Sequence, residues 1–292
     1  MSAPDFTRLR APVERLLGRR IVGWTPIASG YTQATRCVAT FDDGSSAFVK
    51  AATDDDTDGW LQVERIIYDS CDGGFLPSVL GWTRDDHGRR ILVLEDLSRG
   101  VWPPPWSSAL IERVLTTLSA VASTPPPERV RRVVDQREHF SGWYLVERDV
   151  APFLSLGVCS AEWLQGALPV LLQAEASAPL ERGALLHLDV RSDNICFDGE
   201  RTVLVDWNWA SVGNSELDLV AWLPSLHTEG GPLPDDVYDG EPGLVAMIAG
   251  YLAGRAGLPA PEYLRRVRDL QLRQLTVALP WAARALGLPP PQ

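Results

Sequence analysis

The run His187-Leu188-Asp189-Val190-Arg191-Ser192-Asp193-Asn194, followed by the apolar Val203-Leu204-Val205 and then Asp206-Trp207, constrains this chain more than any other stretch. It sets a carboxylate and an amide on a tight loop, and a second carboxylate at the end of the strand that follows. Asp and Asn suit a polar turn on their own account, because their side chains bond nearby backbone. Their order here also meets a chemical need. Phosphoryl transfer from ATP requires one carboxylate to orient the attacking hydroxyl, and hard oxygen ligands to hold Mg²⁺ against the phosphates. Magnesium usually takes only one or two such ligands from protein. Asp189 is the candidate for the first task, Asn194 and Asp206 for the second.

Basic residues carry a second signal. The chain has 27 lysines and arginines, and Lys50 is its only lysine. Base composition of the coding sequence accounts for arginine wherever the two residues are interchangeable. They are not interchangeable where a compact ammonium must reach phosphate oxygens through a narrow space. Lys50 ends the alternating run Ser46-Ala47-Phe48-Val49-Lys50, a predicted strand after the turn Asp42-Asp43-Gly44. Upstream, between two predicted strands, Ser29 and Gly30 are candidates to lay backbone N–H groups over phosphates. The chain contains no GxxxxGK[ST], which disfavours a P-loop enzyme.

Helical spacing over residues 58–70 carries Glu64, which either aims Lys50 by pairing with it or is a solvated helix glutamate. Two further strands fit 78–82 and 91–94, and the extended Glu95-Asp96-Leu97 after them offers backbone groups to the edge of adenine. Glu95 and Leu97 are therefore candidate nucleotide contacts at a hinge. A short amphipathic helix fits 12–20, and longer helical patterns fit 107–122, 161–176, 216–223, 243–253 and 261–279. Strands come first and helices after, which predicts an α+β chain: a nucleotide-binding lobe over 1–97 and a helical lobe over 98–292.

Charge and hydropathy exclude several classes. A net charge of -11 and a pI near 4.9 lack the basic face of a nucleic-acid binder and are compatible with a cationic partner. The longest apolar stretch, around Gly243 to Gly254, is too short to span a bilayer, and the start of the chain has no signal-peptide core. Four scattered cysteines make no CxxC pair and read as free thiols. The expectation is a cytoplasmic protein with neither nucleic-acid nor membrane partners.

These residues resemble the aminoglycoside phosphotransferase family, a branch of the protein-kinase-like fold, from about Ile21 to the last helix. That family's catalytic loop reads His-Gly-Asp-x-x-x-x-Asn, its metal-binding strand ends in Asp-Trp or Asp-Phe, and an acidic-Leu-Asp-Leu-Ala helix start commonly follows. Here these are His187-Leu188-Asp189 through Asn194, Asp206-Trp207, and Glu216-Leu217-Asp218-Leu219-Val220. The hinge Leu94-Glu95-Asp96-Leu97 is also similar. Two positions depart from the pattern: Leu188 stands where the family usually has glycine, and Gly30 is the only glycine of its loop.

The resemblance implies a two-lobe kinase-like fold, with a small antiparallel-sheet lobe and a larger helical one, using ATP or GTP with Mg²⁺. Lys50 would contact the α- and β-phosphates, and Asp189 would take the acceptor's proton late. His187 would act as a loop scaffold near Asp206, and Asp218 would tie the activation segment to the helical lobe. Arg191 would either steady the loop against phosphate or carboxylate or be a surface arginine. The acceptor implied is a small, cationic molecule, an aminoglycoside or similar amine-bearing antibiotic. Glu229, Asp235, Asp236, Asp239 and Glu241 either receive it or form a solvated loop. A metabolic kinase for a sugar, a choline-like amine or an amino-alcohol fits the same catalytic residues. A pseudokinase regulating a partner would not need Lys50, Asp189, Asn194 and Asp206 all intact.

Overall fold

The structure, a computed structural model, describes residues 6–27, 33–260 and 262–291, without the side chains of 262–264. Ser29 and Gly30 lie outside the described residues. The chain divides into two compact units. The first takes Met1–Pro103, Pro127–Arg129 and Ser192–Ala210; the second takes Pro104–Pro126, Val130–Arg191 and Ser211–Gln292. The chain passes from the second to the first between Arg191 and Ser192. Together they make the antiparallel-sheet lobe and the larger helical lobe of a protein-kinase-like α+β fold.

In the first unit, helix α1 (Thr7–Leu17) precedes strands β1 (Ile21–Pro26), β2 (Thr35–Phe41) and β3 (Ser46–Ala51). Helix α2 (Asp55–Ser70) and strands β4 (Val79–Arg84) and β5 (Arg90–Glu95) follow. The sheet runs β1-β2-β3-β5-β4, with every neighbouring pair antiparallel. Gly44, at φ +81°, closes the β2–β3 turn in the left-handed region that glycine enters without penalty. Period-two alternation then divides the side chains between two faces. Cys37, Ala39 and Phe41 of β2 and Ala47, Val49 and Ala51 of β3 pack with Leu9 and Val13 of α1. The register pairs Arg36 with Lys50 and Val38 with Phe48, so these four share the opposite face.

Helix α1 starts at Thr7, earlier than the spacing predicts, and ends where Gly18 takes φ +65°. Helix α2 also starts earlier than residue 58. Asp54 caps it, accepting the Thr57 N–H at 2.8 Å, while the Thr57 hydroxyl returns a contact to the Asp54 N–H at 3.0 Å. Among the acidic residues at the start of α2, Asp54 is thus a cap, and Asp58 pairs with Arg90 of β5. The hairpin Ile195–Asp198 with Arg201–Leu204 joins this unit through paired N–H and C=O groups of Val101 and Phe197, both at 2.9 Å.

The second unit is mainly helical. Helix Pro242–Ala256 is buried nearly all round and packs against Gly142–Arg148, Ala161–Ala176 and Glu262–Ala285. Its approach to Gly142 leaves no room for a side chain: a Cβ there would stand 1.7 Å from the Gly250 carbonyl oxygen. Helix Glu216–Thr228 continues through Pro224, although proline predicts a stop. An interior proline costs about 3 kcal/mol in a helix. Burial of Trp222, Leu223 and Leu226 on either side of it outweighs that. Helix Glu262–Ala285 passes through Pro280 in the same way, with Leu279, Trp281 and Ala282 buried. All four cysteines are free and buried, and burial pushes the Cys37 and Cys196 thiols up to about 12. Among the described residues, no helix is long and apolar enough to cross a membrane.

Candidate active site

A cleft of about 410 Å³ opens within the first unit. Its walls are the face of β2 and β3 that bears Arg36, Val38, Phe48 and Lys50, the segment Leu94–Ser98, and the stretch holding Ser192, Asp193, Asn194, Val205 and Asp206. Lys50 sits at its charged end. The ammonium lies 2.5 Å from Glu64 Oε1 and 2.7 Å from Asp206 Oδ1, and all three side chains are largely buried. Burial works against the charge on Lys50, but the carboxylates of Asp206 and Glu64 more than offset it and raise its pKa. Of the two readings of Glu64, the structure places the side chain inside, paired with Lys50.

Asp206 takes φ +67°, a left-handed backbone at the strand end. Trp207 follows it into the core, donating its indole N–H to the Leu204 carbonyl at 2.8 Å and packing on Phe75. Asn194 is buried, and its carbonyl accepts the Val205 N–H at 3.0 Å, which ties the metal-candidate loop to the strand end.

Two neighbours were not singled out by sequence. Arg36, opposite Lys50, brings Nη2 to 3.6 Å from Asp206 Oδ2. The Tyr68 hydroxyl is buried beside Glu64 and Asp206. Burial and the nearby charges of Glu64 and Asp206 raise its pKa well above the ordinary phenol value. The only signals in the sequence were strand alternation for Arg36 and helical spacing from Glu64 for Tyr68.

At the hinge, the Glu95 N–H donates to the Ser78 carbonyl at 2.9 Å, so that donor is engaged. The Glu95 carboxylate holds Arg201 at 2.7 Å and accepts the Ser78 N–H at 2.7 Å, contacts that keep its pKa low. The Leu97 carbonyl accepts from Gly100 N–H at 3.0 Å and from the Trp102 indole at 3.1 Å. The Leu97 N–H donates to no group among the described residues and remains available on the cleft wall.

The second unit holds the other candidates. Strand Ala184–Leu186 pairs with Ser211–Gly213 and delivers His187, which is fully buried. The His187 ring accepts the Asp189 N–H at 3.2 Å through Nδ1, which assigns its proton to Nε2. Asp218 accepts the N–H groups of both His187 and Leu188. Arg191 grips the Asp189 carboxylate, with Nε 2.9 Å from Oδ1 and Nη2 3.0 Å from Oδ2. Asp189 is thus held through its N–H by the His187 ring and through its carboxylate by the Arg191 guanidinium.

An antiparallel-sheet lobe followed by a larger helical lobe defines a class by its fold, the protein-kinase-like proteins. The chain belongs to the phosphotransferase enzyme family APH, whose sequence profile matches residues 23–256. No curated protein gives a significant sequence match. Among solved structures, it is similar to the GDP complex of wild-type aminoglycoside 2'-phosphotransferase-IIIa, at 12% identity over 97% of this chain and 99% of that one, with a TM-score of 0.65. It is similar to aminoglycoside phosphotransferase APH(4)-Ia at 14% identity, over 97% and 99% of the two chains, with a TM-score of 0.61. Spectinomycin phosphotransferase APH(9)-Ia, in complex with ADP and spectinomycin, gives 12% identity over 95% and 98%, with a TM-score of 0.59. At these identities the likeness is one of fold.

Proposed function

We propose that the protein transfers the γ-phosphoryl group of ATP or GTP to a hydroxyl of a small molecule, with Asp189 as the group that receives the hydroxyl proton. The observation that carries this reading is the Lys50 ammonium held between Glu64 and Asp206 on the wall of the cleft. A lysine so placed has no packing purpose that an apolar residue would not serve better. On this reading the base lies between Val38, Phe48, Leu94 and Val205, and the Leu97 N–H reads its edge.

The donor set suits Mg²⁺. Asn194 offers an amide oxygen and Asp206 a carboxylate, both hard ligands on the same cleft wall, and magnesium asks for little more from protein. When bound there, the ion would neutralise charge on the phosphates. In the transfer itself, the acceptor oxygen bonds to the γ-phosphorus while the bond from that phosphorus to the β–γ bridging oxygen breaks. The nucleoside diphosphate leaves, and the hydroxyl proton passes to an Asp189 carboxylate oxygen. The transition state is loose, so orientation by Asp189 matters more than basicity.

Family membership and the names of the similar structures support an aminoglycoside or other amine-bearing acceptor. The acidic loop lends that choice little, because Glu229 accepts the Trp106 indole N–H at 2.8 Å, Asp235 pairs with Arg284, and Glu241 lies 3.4 Å from Arg182. A sugar or amino-alcohol acceptor fits the same catalytic residues. The test is nucleoside diphosphate release over a panel of hydroxylated antibiotics and metabolites, for the wild type and for Asp206→Ala. Magnesium-dependent release lost in a folded Asp206→Ala supports the reading; wild-type turnover by that variant overturns it.

A further inference from the structure

The segment after the hinge folds back onto it, and the Leu97 carbonyl is where it closes. That oxygen accepts the Gly100 N–H at 3.0 Å and the Trp102 indole N–H at 3.1 Å. The Cys196 thiol, 3.7 Å away, is a weaker third donor, and burial keeps it protonated. A carbonyl oxygen has two lone pairs, so this one is full. Only glycine fits at the turn, because a Cβ on residue 100 would stand 2.3 Å from Cys196 Sγ. Val101 is paired with Phe197 through both its N–H and its C=O, each at 2.9 Å, which fixes the chain from which Trp102 reaches back.

The cleft wall formed by Leu97 and Trp102 is therefore one-sided. The Leu97 N–H is open as a donor, while the Leu97 carbonyl has nothing left to accept with. The carboxylates of Glu95 and Asp96, on the same wall, are engaged at every oxygen. Glu95 holds Arg201 through both oxygens and takes the Ser78 N–H as well. Asp96 takes the Ser46 hydroxyl at 2.6 Å and the Ser98 N–H at 2.9 Å.

Adenine and guanine ask different things of such a wall. With adenine N1 on the Leu97 N–H, the next position along the base edge is C2–H, which needs no acceptor. With guanine O6 on the same N–H, the next position is N1–H, a donor that meets the filled carbonyl, and the 2-amino group follows it. A donor held out of water against a filled acceptor goes unpaired, and one such group costs about ten- to hundredfold in affinity. We propose that Trp102 is a specificity residue: its indole occupies the Leu97 carbonyl that guanine N1–H would need, and the cleft thereby selects adenine over guanine nucleotides. This rests on the phosphotransferase reading above, which leaves ATP and GTP both open as donors.

The experiment is calorimetric titration of the full chain with the magnesium complexes of ADP, GDP and inosine diphosphate, and it needs no acceptor. The expected result is ADP binding about tenfold or more tighter than GDP. Inosine diphosphate keeps O6 and N1–H but lacks the 2-amino group, so it should bind as weakly as GDP. Trp102→Phe keeps an aromatic ring and removes the indole N–H, and the ratio of GDP to ADP affinity should rise about fivefold or more. Trp102→Phe combined with Cys196→Ala also removes the thiol donor and should raise that ratio at least as far. A merely structural Trp102 would instead weaken all three nucleotides together. Equal ADP and GDP affinities in the wild type, inosine diphosphate binding as tightly as ADP, or an unchanged ratio in both variants overturns Trp102 as the selector and leaves the phosphotransferase reading standing. Should the variants fail to fold, hydrogen exchange of the Trp102 indole N–H in the wild type decides: slow exchange is expected, and exchange at the rate of a free indole removes the contact. Failure of all three nucleotides to bind strikes the phosphotransferase reading, and the selection falls with it.

Discussion

Asp218 Oδ1 accepts the backbone N–H of Leu188 at 2.7 Å, and Leu188 holds φ +59°. The left-handed region costs a residue with a Cβ about 1–2 kcal/mol. Asp218 Oδ2 takes the adjacent N–H of His187 at 2.8 Å, so one buried carboxylate fixes two successive peptide units and holds the strained turn. Leu188 stands where the resembling family usually has glycine, and the backbone has kept the shape that glycine would adopt freely.

That strain is measurable. Leu188→Gly should be more stable than Leu188→Ala by about 1 kcal/mol, the reverse of the order at a helical or extended site. Chemical denaturation of both variants checks it, with unchanged slopes to guard the comparison. Alanine equal to or above glycine would mean that the loop does not hold this conformation in solution.

Lys50→Arg should damage turnover almost as much as Lys50→Ala, lowering kcat/KM by about 10²-fold. The ammonium fills a pocket set by Glu64 and Asp206, and Arg36 already brings one guanidinium to Asp206. A second planar guanidinium cannot meet both carboxylates from the same strand position. Steady-state kinetics decide it, and an arginine variant keeping more than about a third of activity would show that the ammonium is not needed.

Glu175 should make stability fall between about pH 4.5 and about pH 7. Burial, against the N–H groups it accepts, raises its pKa to about 7. The folded protein then holds a proton through this window that the unfolded chain has already released, so unfolding becomes easier as pH rises and levels off above the folded value. The shift corresponds to about 3 kcal/mol as an upper figure. Glu175→Gln should flatten that slope while its carbonyl still accepts the Trp143 N–H. Denaturation midpoints across the window test this, and an equal slope in wild type and variant would remove Glu175 as its source.

The sheet was legible because strand alternation carries a period of its own: 35–41 and 46–50 match β2 and β3 to within a residue. Lys50 was legible because it is the only lysine. Helix ends were less so. Pro224 and Pro280 signal stops locally, and tertiary burial overrides them. Leu188 showed as a departure, but its φ could not be known without Asp218, thirty positions away. Arg36 was invisible among so many arginines, because only packing distinguishes a surface charge from one facing Asp206.

Arg36 gives the last expectation. Asp206 lies 2.7 Å from the Lys50 ammonium and 3.6 Å from the Arg36 guanidinium. On the proposed reading, magnesium occupies Asp206 when nucleotide binds, and both cations turn toward phosphate. Removing Arg36 therefore has two opposed effects: it frees Asp206 and it takes away a phosphate contact. The freed contact is a long one, with Nη2 3.6 Å from Oδ2 and beyond hydrogen-bond length. A charge-assisted bond to phosphate is worth about 1.5–3 kcal/mol, so the loss should win. Arg36→Gln should weaken MgATP by about tenfold, MgADP less, and adenosine not at all. Calorimetric titration of the three ligands separates the possibilities. Equal weakening of adenosine would make Arg36 a structural residue of the sheet, and unchanged affinity for all three would mean that its charge never reaches the phosphates.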